Sequence, residues 1–303
     1  MSRTTIPREP REPGRPSRPR KYGLTTVVLG ANGRIARHVA TGLLAAGGPV
    51  RLASSDPARA QLLHGAEVVA ADLARPETLP AALAGARRVF TYANAETAGA
   101  FAEAAKAAGV EHVVLLSSAA IVAPGAEANP VALQHRAAEE AIERAGLART
   151  FVRPGMFATN TLWWWRDPIR AGRSVRLPYP DSESAPVHEA DLAAIALAAL
   201  TEPEPHAGQA YTVYGAESLT LRAQVAAIGA ALGREVPVEV VTPEETRAEL
   251  ALTMPPLGVE IVMRQWAARD GVAAPVSATV AEVTGRPART FADWARDHAE
   301  DFR

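Results

Sequence analysis

Gly30-Ala31-Asn32-Gly33 follows the β-branched run Val27-Val28-Leu29 and precedes an Ala-rich segment with helical spacing. A tight glycine turn between a strand and a helix can hold an anionic phosphate group. Gly30 permits a sharp exit from the strand, and Gly33 permits close approach of the backbone. The unpaired N–H groups of the helix start then face the negative charge. Asn32, Arg34 and Ile35 lie on the same loop and first helical turn, so together these residues form a candidate cradle for a dinucleotide. The spacing is G-x-x-G-x-x-A, with Ala36 where the G-x-G-x-x-G form has its third glycine. Alanine is small enough for that packing role. A glycine turn also joins strands to helices where no ligand binds, so the rest of the chain must decide.

The elements that would position this loop alternate strand and helix from residue 24 onward, which is the pattern of a parallel sheet. Strands are expected at 25–29, 50–54, 67–70, 88–92, 112–117 and 150–153. Helices are expected at 34–46, 76–83, 95–108 and 131–145, with a short one after Ser55-Asp56-Pro57. Beyond Gly155 the alternation loosens. A Trp-rich segment and a Pro-rich stretch (177–186) lead to a helix at 189–200, a strand at 210–214, a helix at 220–232 and a strand at 236–241. Residues 244–268 read as mostly helical, broken by Pro255-Pro256. The fold expected is α/β: a Rossmann-type doubly wound parallel sheet over 22–155 and a smaller C-terminal substrate lobe over 156–303. Within the lobe, 210–214 is a candidate to return to the main sheet.

Composition narrows the function. With 303 residues and a net charge of -1, nothing global favours nucleic acid as a partner. Cysteine is absent, which excludes disulfides and thiolate chemistry and suits a reducing cytoplasm. No apolar run is long enough for a membrane span, no secretory signal is expected, and no His spacing suits a metal. Residues 1–21 repeat Arg, Pro and Glu, carry seven Arg/Lys against two Glu, and offer little to bury. They are expected to be disordered. They are read as a solvated extension or, alternatively, as a basic arm for an anionic partner.

Several segments in order along the chain now carry a resemblance: Gly30-Ala31-Asn32-Gly33, Ala71-Asp72-Leu73, Leu116-Ser117-Ser118, the helix from His135 through Glu139-Glu140, Phe151-Val152-Arg153-Pro154-Gly155, His188-Glu189-Ala190-Asp191 and Thr284-Gly285-Arg286-Pro287. Together they resemble the atypical short-chain dehydrogenase/reductases, in particular the NmrA-like NAD(P)-binding group that includes quinone and triphenylmethane reductases. The resemblance implies that Asp72, with Leu73 beside it, holds the adenine; a helix-capping role is the alternative. It implies that Tyr92, Ala93 and Asn94 at the end of strand four line the ribose and nicotinamide, although Asn also simply forms turns. Ser117 and Ser118 at the end of strand five would face the nicotinamide or the substrate, or else bond locally to the next loop. Pro154, ending strand six, completes the coenzyme-binding set.

One departure stands out. Typical members carry Tyr-x-x-x-Lys on the helix that begins here near Val131; aligned on Glu139, Val131 takes the Tyr position and His135 the Lys position. Valine carries no proton. His135 remains the candidate catalytic group and a donor to the ribose; the alternative is a partly exposed helical histidine. For coenzyme choice, Ser54, Ser55 and Arg34 favour the 2′-phosphate of NADP(H), with NAD(H) the alternative. Trp163-Trp164-Trp165 cannot share one helix face, so Phe157, Trp163 and Trp164 are candidates for an aromatic wall around a flat substrate, against core packing of the lobe. Asp191, after His188, is expected to brace a loop across the cleft. The function expected is an NAD(P)H-dependent oxidoreductase passing hydride to a small aromatic or quinone-like acceptor without the Tyr/Lys pair. The alternative is a coenzyme-binding redox sensor, acting through a protein partner and without turnover.

Overall fold

In the computed structural model, which describes residues 24–303 apart from 61, 62, 64 and 65, the first strand is buried on both faces. The N-terminal arm (1–21), expected to be disordered, lies outside the described residues. In β1 (Thr26–Leu29), Val28 packs into one apolar cluster while Val27 and Leu29 pack into another. A strand with no polar face needs a covered sheet on either side. The chain continues through α1 (Arg34–Ala45), β2 (Val50–Ser54), α2 (Pro57–Ala60), β3 (Glu67–Ala70), α3 (Leu79–Leu83), β4 (Arg88–Tyr92), α4 (Ala98–Ala107), β5 (His112–Leu116), α5 (Pro130–Arg144) and β6 (Ala148–Pro154). After β6 come α6 (Asn160–Arg170), β7 (Val175–Leu177), β8 (Glu183–Ser184), α7 (Glu189–Thr201), α8 (Pro203–His206), β9 (Ala210–Val213) and β10 (Leu219–Thr220). The C-terminal part holds α9 (Leu221–Leu232), β11 (Val238–Val240), α10 (Pro243–Leu250), α11 (Pro256–Ala268), α12 (Thr279–Thr284) and α13 (Phe291–Asp297), then a 3₁₀ turn at Ala299–Phe302.

Seven strands form one parallel sheet in the order β3-β2-β1-β4-β5-β6-β9. This is the Rossmann order extended by β9. The direction of winding reverses between β1 and β4, and ligands of such sheets bind in the crevice beyond the strand ends at that point. On one face lie α1, α7 and Val280 of α12; on the other lie α3, α4 and α5. Helices α1 and α7 approach closely because Gly42 has no side chain: a Cβ there would stand 2.6 Å from Leu197 Cδ2.

Residues 156–303 therefore divide between two bodies. α7, β9 and α12 complete the sheet layers, whereas α6, α9, α11, α13 and the C-terminal turn enclose a separate core around Trp165, Trp266, Phe291, Trp294 and Phe302. The Trp-rich segment, given no element above, is the helix α6, with Pro168 inside it. Leu162, Trp165 and Ile169 bury one side of that helix, and burial overrides its weak local propensity.

At the end of β6, α5 is tied to the sheet by a buried ion pair. Arg153 Nε donates to Glu139 Oε1 at 2.9 Å, and Nη2 donates to Oε2. Glu139 is almost fully buried, so removing it strands a cation. Glu139→Ala is expected to cost about 3–5 kcal/mol. The adjacent exposed pair Glu140–Arg144 is worth only about 0.5 kcal/mol. Thermal or urea unfolding of Glu139→Ala and Glu140→Ala side by side measures the contrast.

Candidate functional site

The glycine turn sits at the point where the sheet reverses. Gly30 has a φ of +66°, the left-handed conformation that favours glycine, and Gly33 N–H donates to Gly30 O at 2.8 Å. Tyr92, at the end of β4, lies against this turn. A Cβ on Gly30 would stand 2.8 Å from Tyr92 Cε2, and one on Gly33 would stand 2.7 Å from the hydroxyl. Both glycines are thus required by Tyr92 as well as by any phosphate. The hydroxyl accepts from Ala36 N–H at 3.1 Å and so caps the first turn of α1. Burial pushes the phenol up to about 12, against a smaller opposite effect of the Ala36 hydrogen bond, so Tyr92 stays protonated. The N–H groups of Arg34 and Ile35 have no partner among the described residues. Those two donors stand at the positive end of the α1 dipole.

Asn32 turns toward β2. Its Nδ2 donates to Ser54 Oγ at 2.9 Å and to Asp56 O at 3.2 Å, while its Oδ1 is buried without a partner. Ser54 is buried and also accepts from Asp56 N–H at 3.0 Å, so it braces the loop; Ser55 and Asp56 are the exposed members of that strand end. Asp72 accepts from Ala74 N–H at 2.9 Å and pairs with Arg75 at 3.2 Å. The Ala74 hydrogen bond is the main reason its carboxyl lies below the usual range. Leu73 lines a narrow apolar pocket with Tyr92, Asn94, Thr97 and Phe101. Asn94 Oδ1 accepts from Glu96 N–H at 3.2 Å, and Ala93 N–H donates to Leu116 O at 3.3 Å.

Beyond β5, Ser118 accepts from Ala120 N–H and caps the following 3₁₀ turn, whereas Ser117 Oγ is buried with no partner among the described residues. On α5, His135 Nδ1 lies 2.8 Å from the Val131 carbonyl. Nδ1 therefore carries a hydrogen, and Nε2 has no partner among the described residues. Pro154 is buried at the end of β6, and Phe157 is half-buried beside α1 and α7. The three Trp side chains diverge. Trp165 is in the lobe core, Trp164 packs edge-to-face on Trp266 at 5.1 Å, and Trp163 is 69% exposed. Trp164 Nε1 has no partner among the described residues.

A charged cluster near the turn joins Arg34 and Glu189 to His298 and Asp301, two residues that the sequence did not single out. Glu189, the first residue of α7, is buried and accepts from Trp294 Nε1 at 3.0 Å and from His298 Nε2 at 2.7 Å. His298 Nδ1 lies 2.8 Å from Asp301 Oδ2, and Asp301 in turn stands 3.5 Å from Arg34. The His298 ring stacks on Trp294 with centroids 4.5 Å apart. Alone, burial would push Glu189 up, but His298 and the backbone outweigh it and hold the carboxyl at about 2. Burial likewise opposes the charge on His298, yet its two carboxylate partners raise its pKa. Asp191 braces the loop before α13 through Arg289, accepting from its backbone N–H at 2.8 Å and from its guanidinium. The Thr290-x-x-Asp293 capping box was the one local signal for α13.

Two unpaired N–H groups at a helix start, with the orphaned Asn32 Oδ1 and Ser117 Oγ at neighbouring strand ends, suit a dinucleotide laid across the crevice. Comparison with known proteins agrees. The model of the NAD(P)H-binding family matches residues 30–203. The chain is 40% identical over 281 residues to a (4-alkanoyl-5-oxo-2,5-dihydrofuran-3-yl)methyl phosphate reductase of Streptomyces griseus, covering 91% of this chain and 98% of that one. It is 35% identical over 287 residues to an NAD(P)H azoreductase of Xenophilus azovorans, with the same coverage of 91% and 98%. In fold it is similar to the triphenylmethane reductase of Citrobacter sp., with a TM-score of 0.77 and 22% identity over 91% of this chain and 100% of that one. That reductase has also been solved in complex with NADP(H).

Two outcomes are expected. Gly33→Ala should lower both stability and coenzyme affinity, and its added cost should be smaller in a Tyr92→Phe background, where the clash with the hydroxyl is gone although the Ala36 cap is lost too. Titration calorimetry on the two single variants and the double variant measures the coupling. The Glu189–His298 pair should stabilise the fold most between pH 4.5 and 6.5. Below 4.5 its contribution falls as Glu189 approaches its depressed folded pKa, and above 6.5 it falls as the pH rises through the raised pKa of His298. The difference in melting temperature between the wild type and His298→Gln, followed against pH, reads this directly.

Proposed function

The chain belongs to the NAD(P)H-binding family and is an NAD(P)H-dependent reductase; from that premise we propose that it reduces a small, planar, conjugated acceptor of the quinone or enone class and prefers NADPH. When bound, the coenzyme supplies the hydride. The Arg34 and Ile35 N–H groups and the Gly30–Gly33 turn hold the pyrophosphate, with Asn32 closing the loop from the side. Asp72 and Leu73 take the adenine, and Arg34 with Ser55 takes the 2′-phosphate. Tyr92, Ala93, Asn94, Ser117, Ser118 and Pro154 border the nicotinamide end. Phe157 and Trp164 face the acceptor from the lobe. A chain without cysteine that draws on reduced coenzyme fits the cytoplasm.

The observation that carries this reading is the commitment of the crevice phenol. Valine stands where typical members have their tyrosine, and the Tyr92 hydroxyl caps α1 with its pKa pushed to about 12. Reduction of a simple ketone places charge on one oxygen, and a positioned acid is worth roughly 10²–10⁴-fold there. A conjugated acceptor spreads the charge and takes its proton from solvent or a weak donor. His135 then contributes mainly by hydrogen-bonding a ribose hydroxyl through Nε2. The relatives' names support the same class. The dihydrofuranone substrate carries a ring double bond conjugated with two carbonyls on one of its carbons, and the azo and triphenylmethane compounds are likewise conjugated.

NADPH oxidation should be followed against quinones, enones, cationic dyes, aldehydes and ketones, with coenzyme binding measured alongside. Conjugated acceptors are expected to exceed simple ketones by about 10²-fold. His135→Ala is expected to slow their reduction by less than about tenfold, well short of the loss of an essential acid. Ketones as the best substrates, or an inactive His135→Ala with normal coenzyme affinity, would overturn the reading. Tight NADPH binding with no acceptor reduced would favour the sensor function instead.

A further inference from the structure

We propose that Asp301 and His298 are positioning residues that set coenzyme preference by competing with the coenzyme for Arg34. This rests on the assignment of Arg34 to the 2′-phosphate made above.

Arg34 is the first residue of the helix that carries the glycine turn, yet its side chain reaches the C-terminal turn, where Asp301 lies 3.5 Å away. Both side chains are more than a third exposed, so the pair can be broken by a stronger anion. Asp301 is not free to serve Arg34 alone. Its Oδ2 also accepts from His298 Nδ1 at 2.8 Å, while His298 Nε2 faces Glu189 at 2.7 Å. Each carboxylate oxygen offers lone pairs to a ring nitrogen, an arrangement that favours hydrogen on both nitrogens, and the two partners raise the pKa of His298. The result is a row of alternating charges: Arg34, Asp301, His298, Glu189.

His188, the N-cap of α7, also faces the row: its ring lies 6.3 Å from that of His298 between centroids and its Nδ1 3.4 Å from Glu189 Oε2, but Nδ1 accepts from Ala190 N–H and Nε2 turns to Asp297. From α1, His38 also faces the cluster and is driven toward its neutral form by burial. Arg289 is committed to Asp191. The charge on His298 therefore controls how much of Asp301 is left for Arg34. A phosphate monoester must take Arg34 from Asp301. An imidazolium at position 298 weakens the hold of Asp301, and a neutral ring strengthens it.

Competition gives variants of opposite sign, which a merely structural role does not. NADPH and NADH affinities should be measured by calorimetry at about pH 7.5, where a phosphate monoester is mostly dianionic. Asp301→Asn is expected to raise the ratio of NADPH to NADH affinity about two- to fivefold, the range of a half-exposed ion pair. His298→Gln, which leaves Asp301 ionised and no longer shared with a cation, is expected to lower the ratio by a similar factor. In the wild type the ratio should fall as the pH is raised further, and in Asp301→Asn it should stay flat; this series decides the matter if His298→Gln does not fold. A ratio lowered by both variants, or unchanged in Asp301→Asn, overturns the proposal. If Arg34→Ala leaves the ratio as it is in the wild type, the 2′-phosphate assignment itself fails and the proposal falls with it.

Discussion

The hydrogen bond from Ala36 N–H to the Tyr92 hydroxyl is the contact on which the crevice depends. It joins the end of β4 to the start of α1 across the point where the sheet reverses direction. Because the ring and hydroxyl of Tyr92 crowd the turn, a side chain on Gly30 or Gly33 would meet them at less than 3 Å. Because the hydroxyl satisfies the third N–H of the helix, the unpaired donors are left to Arg34 and Ile35, at the mouth of the crevice. A buried unsatisfied N–H costs about 1–3 kcal/mol, and at a helix start an anion can satisfy it. Tyr92 thus separates the donors that serve the fold from those that serve a ligand.

A second constraint comes from the far end of the chain. The lobe core is built on aromatic side chains of α6, α11 and α13, and the turn that follows α13 lies against the first residues of α7 and α1. Glu189 is costly to bury alone, and His298 and Trp294 together offset that cost. The lobe is therefore docked on the coenzyme helix through charge, while its own interior is held by apolar area. Such an interface responds to protonation and to salt in a way that the apolar interior does not.

Much of this was legible in the sequence, and the exceptions share a cause. Strand–helix alternation located six strands of the main sheet before Gly155, since each strand announces itself by local apolar runs and each helix by a glycine stop. The return of β9 was indicated only as a candidate, because no local feature says which neighbour a strand will take. The Tyr92–Ala36 contact spans 56 residues and the His298–Glu189 contact spans 109, and neither leaves a trace in periodicity. Ser54 reads as a phosphate ligand from the sequence, and its burial and its bonds to Asn32 and Asp56 are visible only in the fold, because a hydroxyl at a strand end carries no mark of either. The three tryptophans illustrate the same limit. Helical spacing requires them to diverge, but only packing against Trp266 decides which one turns outward.

The chemistry follows from where protons are held. In an arrangement with a lysine-supported tyrosine, the protein supplies an acid and the acceptor can be an ordinary carbonyl. On α5, Val131 carries no proton and the hydrogen on His135 Nδ1 is directed into its own helix, while the phenol of Tyr92 is held neutral under the glycine turn. Among the described residues at the crevice, these side chains are arranged to orient and stabilise rather than to give up a proton readily. On the proposed reading, electron demand is met by the acceptor itself, through conjugation that disperses the incoming charge. Two unpaired backbone donors at the start of α1 and the unpartnered Asn32 Oδ1 and Ser117 Oγ then serve to position the coenzyme. For an acceptor that needs no acid, holding the reactants in the right geometry removes a large part of the barrier.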